Sequence, residues 1–125
     1  MAQTSRLLLL TCLVVSVACG ANTAAVEYSV KAQTNYDRGV QELNRRDWIA
    51  ASKYFSFITS RFPYSKYAPL AELGLADVQF GTEQYPKAID AYRLFMKSYP
   101  QHELVENGHV SFRIGEAYGR SHCQH

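Results

Sequence analysis

At 125 residues, with 47 % apolar and 19 % charged residues, the chain has room for one small globular domain and is not of the disordered class. The net charge of +2 comes from 13 basic and 11 acidic residues, a near balance that gives no bulk electrostatic basis for holding nucleic acid or anionic lipid. Nine Tyr, six Phe and one Trp are many for this length, as expected where large rings must fill the space between short helices.

The chain opens with Arg6 followed by the uncharged run Leu7–Val17, eleven residues long. About 20 apolar residues are needed to span a bilayer, so this run reads as the core of a cleaved signal peptide, residues 1–18. Ser16-Val17-Ala18-Cys19-Gly20 resembles a bacterial lipobox, in which Cys19 is diacylated and becomes the new N-terminus. An ordinary secretory cut after Ala18 satisfies the same small-x-small rule. Cysteine usage favours the lipid anchor. Cys12 leaves with the leader and Cys19 carries the lipid, so Cys123 has no partner for an internal disulfide. Residues 19–31 then serve as a linker.

From residue 32 the chain repeats itself at an offset of 37. Tyr36 falls on Leu73, Gly39 on Ala76, Leu43 on Phe80, Trp48 on Tyr85, Ala51 on Ala88, Phe55 on Tyr92, Ile58 on Phe95 and Phe62-Pro63 on Tyr99-Pro100. Within each unit the apolar residues step by three and four, the period of a helix. Unit one, residues 32–64, is a helix through Tyr36, Gly39, Val40 and Leu43, a break at Asn44–Asp47, and a second helix from Trp48 that Asp47 caps. Unit two, residues 65–101, has a first helix from Leu70, a break at Gly81-Thr82 where Gly81 supplies a left-handed stop, and a second helix with Pro86 in its first turn. Pro63 and Pro100 close the second helices. Small residues at Gly39/Ala76 and Ala51/Ala88 let paired helices approach.

This logic predicts an all-α, tetratricopeptide-like solenoid of two full repeats plus the first helix of a third. The third unit, residues 102–125, carries Val110, Phe112, Ile114, Gly115 and Tyr118, with Gly115 as its small residue 39 positions after Ala76. The tail Gly119–His125 has no partner helix, its last residues His122–His125 read as a frayed end, and the array reads as one truncated within its third repeat.

The motifs Tyr36-x-x-Gly39-x-x-x-Leu43, Asp47-Trp48-x-x-Ala51, Arg61-Phe62-Pro63-Tyr64-Ser65-Lys66-Tyr67-Ala68-Pro69-Leu70 and Tyr85-Pro86-x-Ala88-Ile89, with Tyr99-Pro100-Gln101-His102, resemble the tetratricopeptide-repeat lipoprotein family of the outer-membrane β-barrel assembly machinery, the BamD type. The resemblance implies a lipid-anchored scaffold facing the periplasm whose early repeats receive unfolded barrel proteins and whose later repeats, absent here, dock on the barrel-inserting subunit. Segment His102–Gly115 is about two residues longer than that family leads one to expect. Other readings are a periplasmic repeat scaffold in cell-wall or Tol–Pal coordination, and the accessory module of a truncated envelope enzyme.

No catalytic residue, metal site, cofactor or small-molecule substrate is expected. The chain lacks a glycine-rich phosphate loop, a histidine–glutamate zinc motif and an elbow serine. His122-Cys123-x-His125 is too sparse for a closed metal site. Arg45-Arg46 reads as a solvated turn. The expected site is a peptide groove on the first helices, with Gln33, Tyr36, Val40 and Asn44 in unit one and Leu70, Leu73, Asp77 and Gly81 in unit two. Tyr36 and Leu73 are the two expected to be buried instead. Its partners would be barrel substrates and assembly-complex subunits, with the membrane reached through Cys19 and no nucleic acid.

Overall fold

A computed structural model describes residues 25–124. The leader, Cys12, Cys19 and His125 lie outside them. The described chain forms six helices: α1 Ala32–Asn44, α2 Trp48–Arg61, α3 Tyr67–Gly81, α4 Tyr85–Ser98, the single turn α5 Glu103–Glu106, and α6 His109–His122. Among the described residues there is no strand. Helices α1 to α4 each pack on the next, and α6 packs on α4, which makes an all-α, tetratricopeptide-like solenoid.

The two helix pairs turn by the same local device. Asp47 N–H donates to Glu42 O (3.0 Å) and Arg46 N–H to Leu43 O (3.0 Å); 37 residues on, Gln84 N–H donates to Gln79 O (2.9 Å) and Glu83 N–H to Phe80 O (3.0 Å). These are Schellman closures, and the left-handed residue in each is Arg46 (φ 62°) or Glu83 (φ 63°). Helix α3 does end at Gly81, but the left-handed residue is Glu83, two positions after the expected Gly81. Gly81 is small for another reason: a Cβ there would stand 2.4 Å from the indole of Trp48. Asp47 does cap α2, its carboxylate accepting from Ala50 N–H at 3.0 Å. Helix α3 begins at Tyr67, ahead of the expected Leu70. Pro69 sits in its first turn, where the missing N–H has no intrahelical partner to lose.

The core is continuous between the pairs. Phe55 of α2 enters the gap between α1 and α3, where Gly39 and Gly74 leave room for its ring; a Cβ on either would meet it at 2.7 or 2.6 Å. Ala51, Ile58 and Ala71 close around it, fully buried. In the second unit Tyr92 takes the same place, beside Ala76, Ala88, Phe95 and Val110. Each such side chain contributes about 1.5–3 kcal/mol by leaving water.

Helix α6 keeps the pattern with a shift. Turn α5 and Gly108, left-handed at φ 80°, absorb the two extra residues, so the offset from α3 to α6 is 39. Val110, Ile114 and Ala117 then turn back onto α4, as Ala71, Leu75 and Val78 of α3 turn back onto α2. Phe112 (65 % exposed), Gly115 and Tyr118 face outward, so these three expected members of the stripe are not core among the described residues. Helix α6 continues through Gly119 to His122, and Cys123 is a free, exposed thiol.

Before α1, residues 25–30 run extended over α2. Asn35, fully buried, holds them: its amide donates to Ser29 O (2.8 Å) and Lys31 O (3.0 Å), and its carbonyl accepts from Ser29 N–H (2.8 Å). Tyr28 thereby stacks on Phe57, centroids 4.2 Å apart.

Candidate functional site

Helix α1 packs beside α3, Arg113 of α6 reaches Asp77 of α3, and where α1 and α3 end a cleft of about 350 Å³ opens toward α6. Its floor is apolar and aromatic: Leu43, Trp48, Phe80 and Tyr85, with Gly81 beneath the indole. Its rim is charged, with Arg46 and Glu83 from the two left-handed turn positions, Asp77 from α3, and Arg113 and Arg120 from α6.

Asp77 is the fixed point of this rim. Its carboxylate accepts from the Tyr92 hydroxyl and from Arg113 Nε (3.3 Å) and Nη2 (3.1 Å). Arg113 also pairs with Glu116 (2.8 Å) and lies over Phe80, 4.0 Å from the ring centroid. Burial first, and then the Asp77 carboxylate, hold the Tyr92 phenol far above its usual range, so it stays a donor. Tyr36 is raised as well, by burial and then by Asp77 and Asp37. Arg113 stands where α3 has Gly74, so Tyr92 in the place of Phe55 has a guanidinium 6.0 Å from its ring centroid where Phe55 has a bare glycine.

Two other cations are uncommitted. Arg120 lies 5.4 Å from the Phe80 centroid, and neither it nor Arg46 has a carboxylate within 4.0 Å among the described residues. Arg45 pairs with Glu42 at 3.2 Å and points to solvent. The expected solvated turn thus holds one solvated arginine and one that lines a cleft.

Of the expected groove residues on α1 and α3, Asp77 and Gly81 line this cleft. Gln33 and Asn44 are exposed on α1. Tyr36 is half-buried between the rings of Phe55 and Tyr67, at 6.0 and 5.6 Å. Val40 and Leu70 are half-buried, and Leu73, 6 % exposed, lies in the core with Tyr92 and Phe95. The sequence reading missed Arg46, Glu83, Arg113 and Arg120. One signal was available for Arg113: a large cation at the position of Gly74 once the 39-residue offset is used.

Among the described residues no group of three or more His, Cys, Asp or Glu is placed to hold a metal ion, and no helix is long and apolar enough to cross a membrane. The arrangement offers apolar surface at Trp48 and Phe80 beside guanidiniums that can take carbonyl or carboxylate oxygens.

The family YfiO, described as outer membrane lipoprotein, matches over residues 29–110. Among curated proteins, the chain is similar to the outer membrane protein assembly factor BamD of Neisseria gonorrhoeae, 31 % identical over 71 residues. It is also similar to the protein of the same name from Neisseria meningitidis serogroup A, 30 % identical over 71 residues. In both cases the match takes in 57 % of this chain and 27 % of the relative, so the chain matches about a quarter of those proteins' length.

Proposed function

The chain belongs to the YfiO family of outer membrane lipoproteins, and from that premise we propose that it is a non-catalytic scaffold of outer-membrane β-barrel assembly, anchored through a diacylated Cys19 and facing the periplasm. Its partners are unfolded barrel proteins and other subunits of the assembly complex. The observation that carries the reading is the cleft itself, an aromatic floor with two uncommitted guanidiniums above it. Barrel strands alternate apolar and polar side chains, so an extended strand offers every second side chain to one wall. Apolar groups would rest on Phe80 and Trp48, while Arg46 and Arg120 bind backbone carbonyls or a terminal carboxylate. Gln33, Tyr36, Val40, Asn44 and Leu70 extend the track along α1 and α3.

The test is a titration of the purified chain with peptides from the C-terminal strands of barrel proteins, alongside circular dichroism. Affinity is expected to be micromolar or weaker, because the contact is small. Arg46→Glu with Arg120→Glu weakens it about tenfold or more through two lost charge-assisted contacts, and Val40→Asp with Asn44→Ala weakens it further along the track. A fully helical protein that binds none of these peptides overturns the receptor reading. The anchor is tested separately: Cys19→Ser moves the protein from membrane to soluble fraction if the residue is acylated.

A further inference from the structure

We propose that the outer face of α2, with the extended segment laid on it, is a docking surface for an anionic phospholipid bilayer; this rests on the reading of Cys19 as the anchor.

Helix α2 has no acidic residue in its fourteen. Its outward side presents Ile49, Lys53, Phe57 and Arg61, and Tyr28 stacks on Phe57 there. Open hollows beside the stack are lined by Tyr28, Phe57 and Arg61, with Lys53 on one side and Val30 on the other. Val30 is 90 % exposed, Ile49 71 % and Tyr28 43 %, an unusual outlay of apolar surface for a face that also carries two cations. Rings and aliphatic groups beside lysine and arginine, with no opposing carboxylate on the helix, are the composition of an interfacial surface. Helix α4 is the internal control. At the 37-residue offset Asp90 replaces Lys53 and Leu94 replaces Phe57, and among the described residues no extended segment lies over it.

Chain connectivity selects the bilayer as occupant. The described chain begins at Ala25, three residues before Tyr28 on this face, and Cys19 is six residues earlier. An extended chain crosses that separation in at most about 22 Å. A lipid on Cys19 therefore keeps Tyr28 and Val30 within a short tether of the headgroups, where even a weak surface is occupied. Lys53 and Arg61 would meet lipid phosphates, while Tyr28, Val30 and Phe57 enter the headgroup region.

The experiment uses the full chain, exported and reconstituted into phosphatidylethanolamine–phosphatidylglycerol vesicles, with a photoreactive benzophenone amino acid in place of Val30 or, as control, of Leu94. Both positions are exposed, so neither replacement disturbs the core. Irradiation is expected to give a phospholipid adduct at position 30 and none at 94. Lys53→Glu with Arg61→Glu lowers the adduct about tenfold, as does phosphatidylcholine in place of the anionic mixture. Equal adducts at both positions, or an adduct unaffected by charge reversal, overturn the proposal. So does a protein adduct at position 30 in native envelopes. An unmodified Cys19 in the mass spectrum overturns the anchor and the tethering with it. An acylated Cys19 without a lipid adduct at position 30 overturns the docking face alone.

Discussion

Gly81 of α3 lies directly under the Trp48 indole of α2: a Cβ on Gly81 would stand 2.4 Å from Cη2 and Cζ3. The contact ties the end of the second repeat's first helix to the start of the first repeat's second helix, and it forms the floor of the cleft. Gly81→Ala should displace the indole, lower stability by about 1–3 kcal/mol and quench or shift Trp48 fluorescence. An unchanged emission spectrum with an unchanged Tm would mean that the indole is not seated on Gly81.

The glycines of α1, α3 and α6 separate by the same criterion. Gly39→Ala and Gly74→Ala press on the Phe55 ring, which is held from both sides, and should lower Tm despite better helix propensity. At Gly115 a Cβ meets nothing within 4 Å, so Gly115→Ala gains about 1 kcal/mol of propensity. For a domain of this size that is a rise of about 4–8 °C in Tm. Thermal melts of the three variants check the sign of each.

Ala51 and Ala88 are fully buried at the helix crossings, whereas Ala50 is partly exposed. Ala51→Leu and Ala88→Leu should each cost about 1–3 kcal/mol by overpacking. Ala50→Leu should leave the urea midpoint close to wild type.

Glu83→Gly should raise stability by about 1 kcal/mol, because the left-handed conformation at φ 63° is strained for a side chain and free for glycine. Arg46→Gly should do the same while weakening peptide binding, since Arg46 also lines the cleft. A urea titration paired with the peptide assay reads both effects, and a stabilised Arg46→Gly protein with full binding removes Arg46 from the site.

The phenol of Tyr92 is raised above its ordinary value of 10.0 by burial and by Asp77. In the unfolded chain it ionises near pH 10 while the folded protein retains the proton. Its contribution is thus complete below pH 10 and is lost as pH climbs beyond, by about 1.4 kcal/mol per pH unit. Tyr92→Phe should flatten the alkaline limb of a stability–pH profile. A profile as steep as wild type would assign that loss to other tyrosines, Tyr36 and Tyr99 being raised in the same direction.

The fold was legible because the repeat is written in side-chain volume. Phe55 and Tyr92, Ala51 and Ala88, and Gly39 and Ala76 keep their sizes at one offset, and each pair takes equivalent places in the solenoid. Local geometry was less legible. Helix α3 starts ahead of Pro69 because a first-turn proline breaks no hydrogen bond, and the left-handed positions fell on Arg46 and Glu83, which the Schellman bonds hold there against intrinsic preference. The rim of the cleft was hidden for a different reason. Arg113 reaches Asp77 across 36 residues, and only the two-residue shift introduced by α5 and Gly108 brings it into line. Periodicity finds residues that face a core; it does not find charges gathered at helix ends by tertiary packing.

Because α1, α2 and α3 each pack chiefly on the next helix in sequence, with α6 on α4, most contacts among the described residues join elements near one another along the chain. Little loop-closure entropy stands between the unfolded chain and these contacts, so folding should be fast, in the microsecond-to-millisecond range of low-contact-order helical proteins. It should also be graded. Among the described residues α3 packs on α1, α2 and α4, whereas α6 packs on α4 and the short α5, so hydrogen exchange should be slower in α3 than in α6.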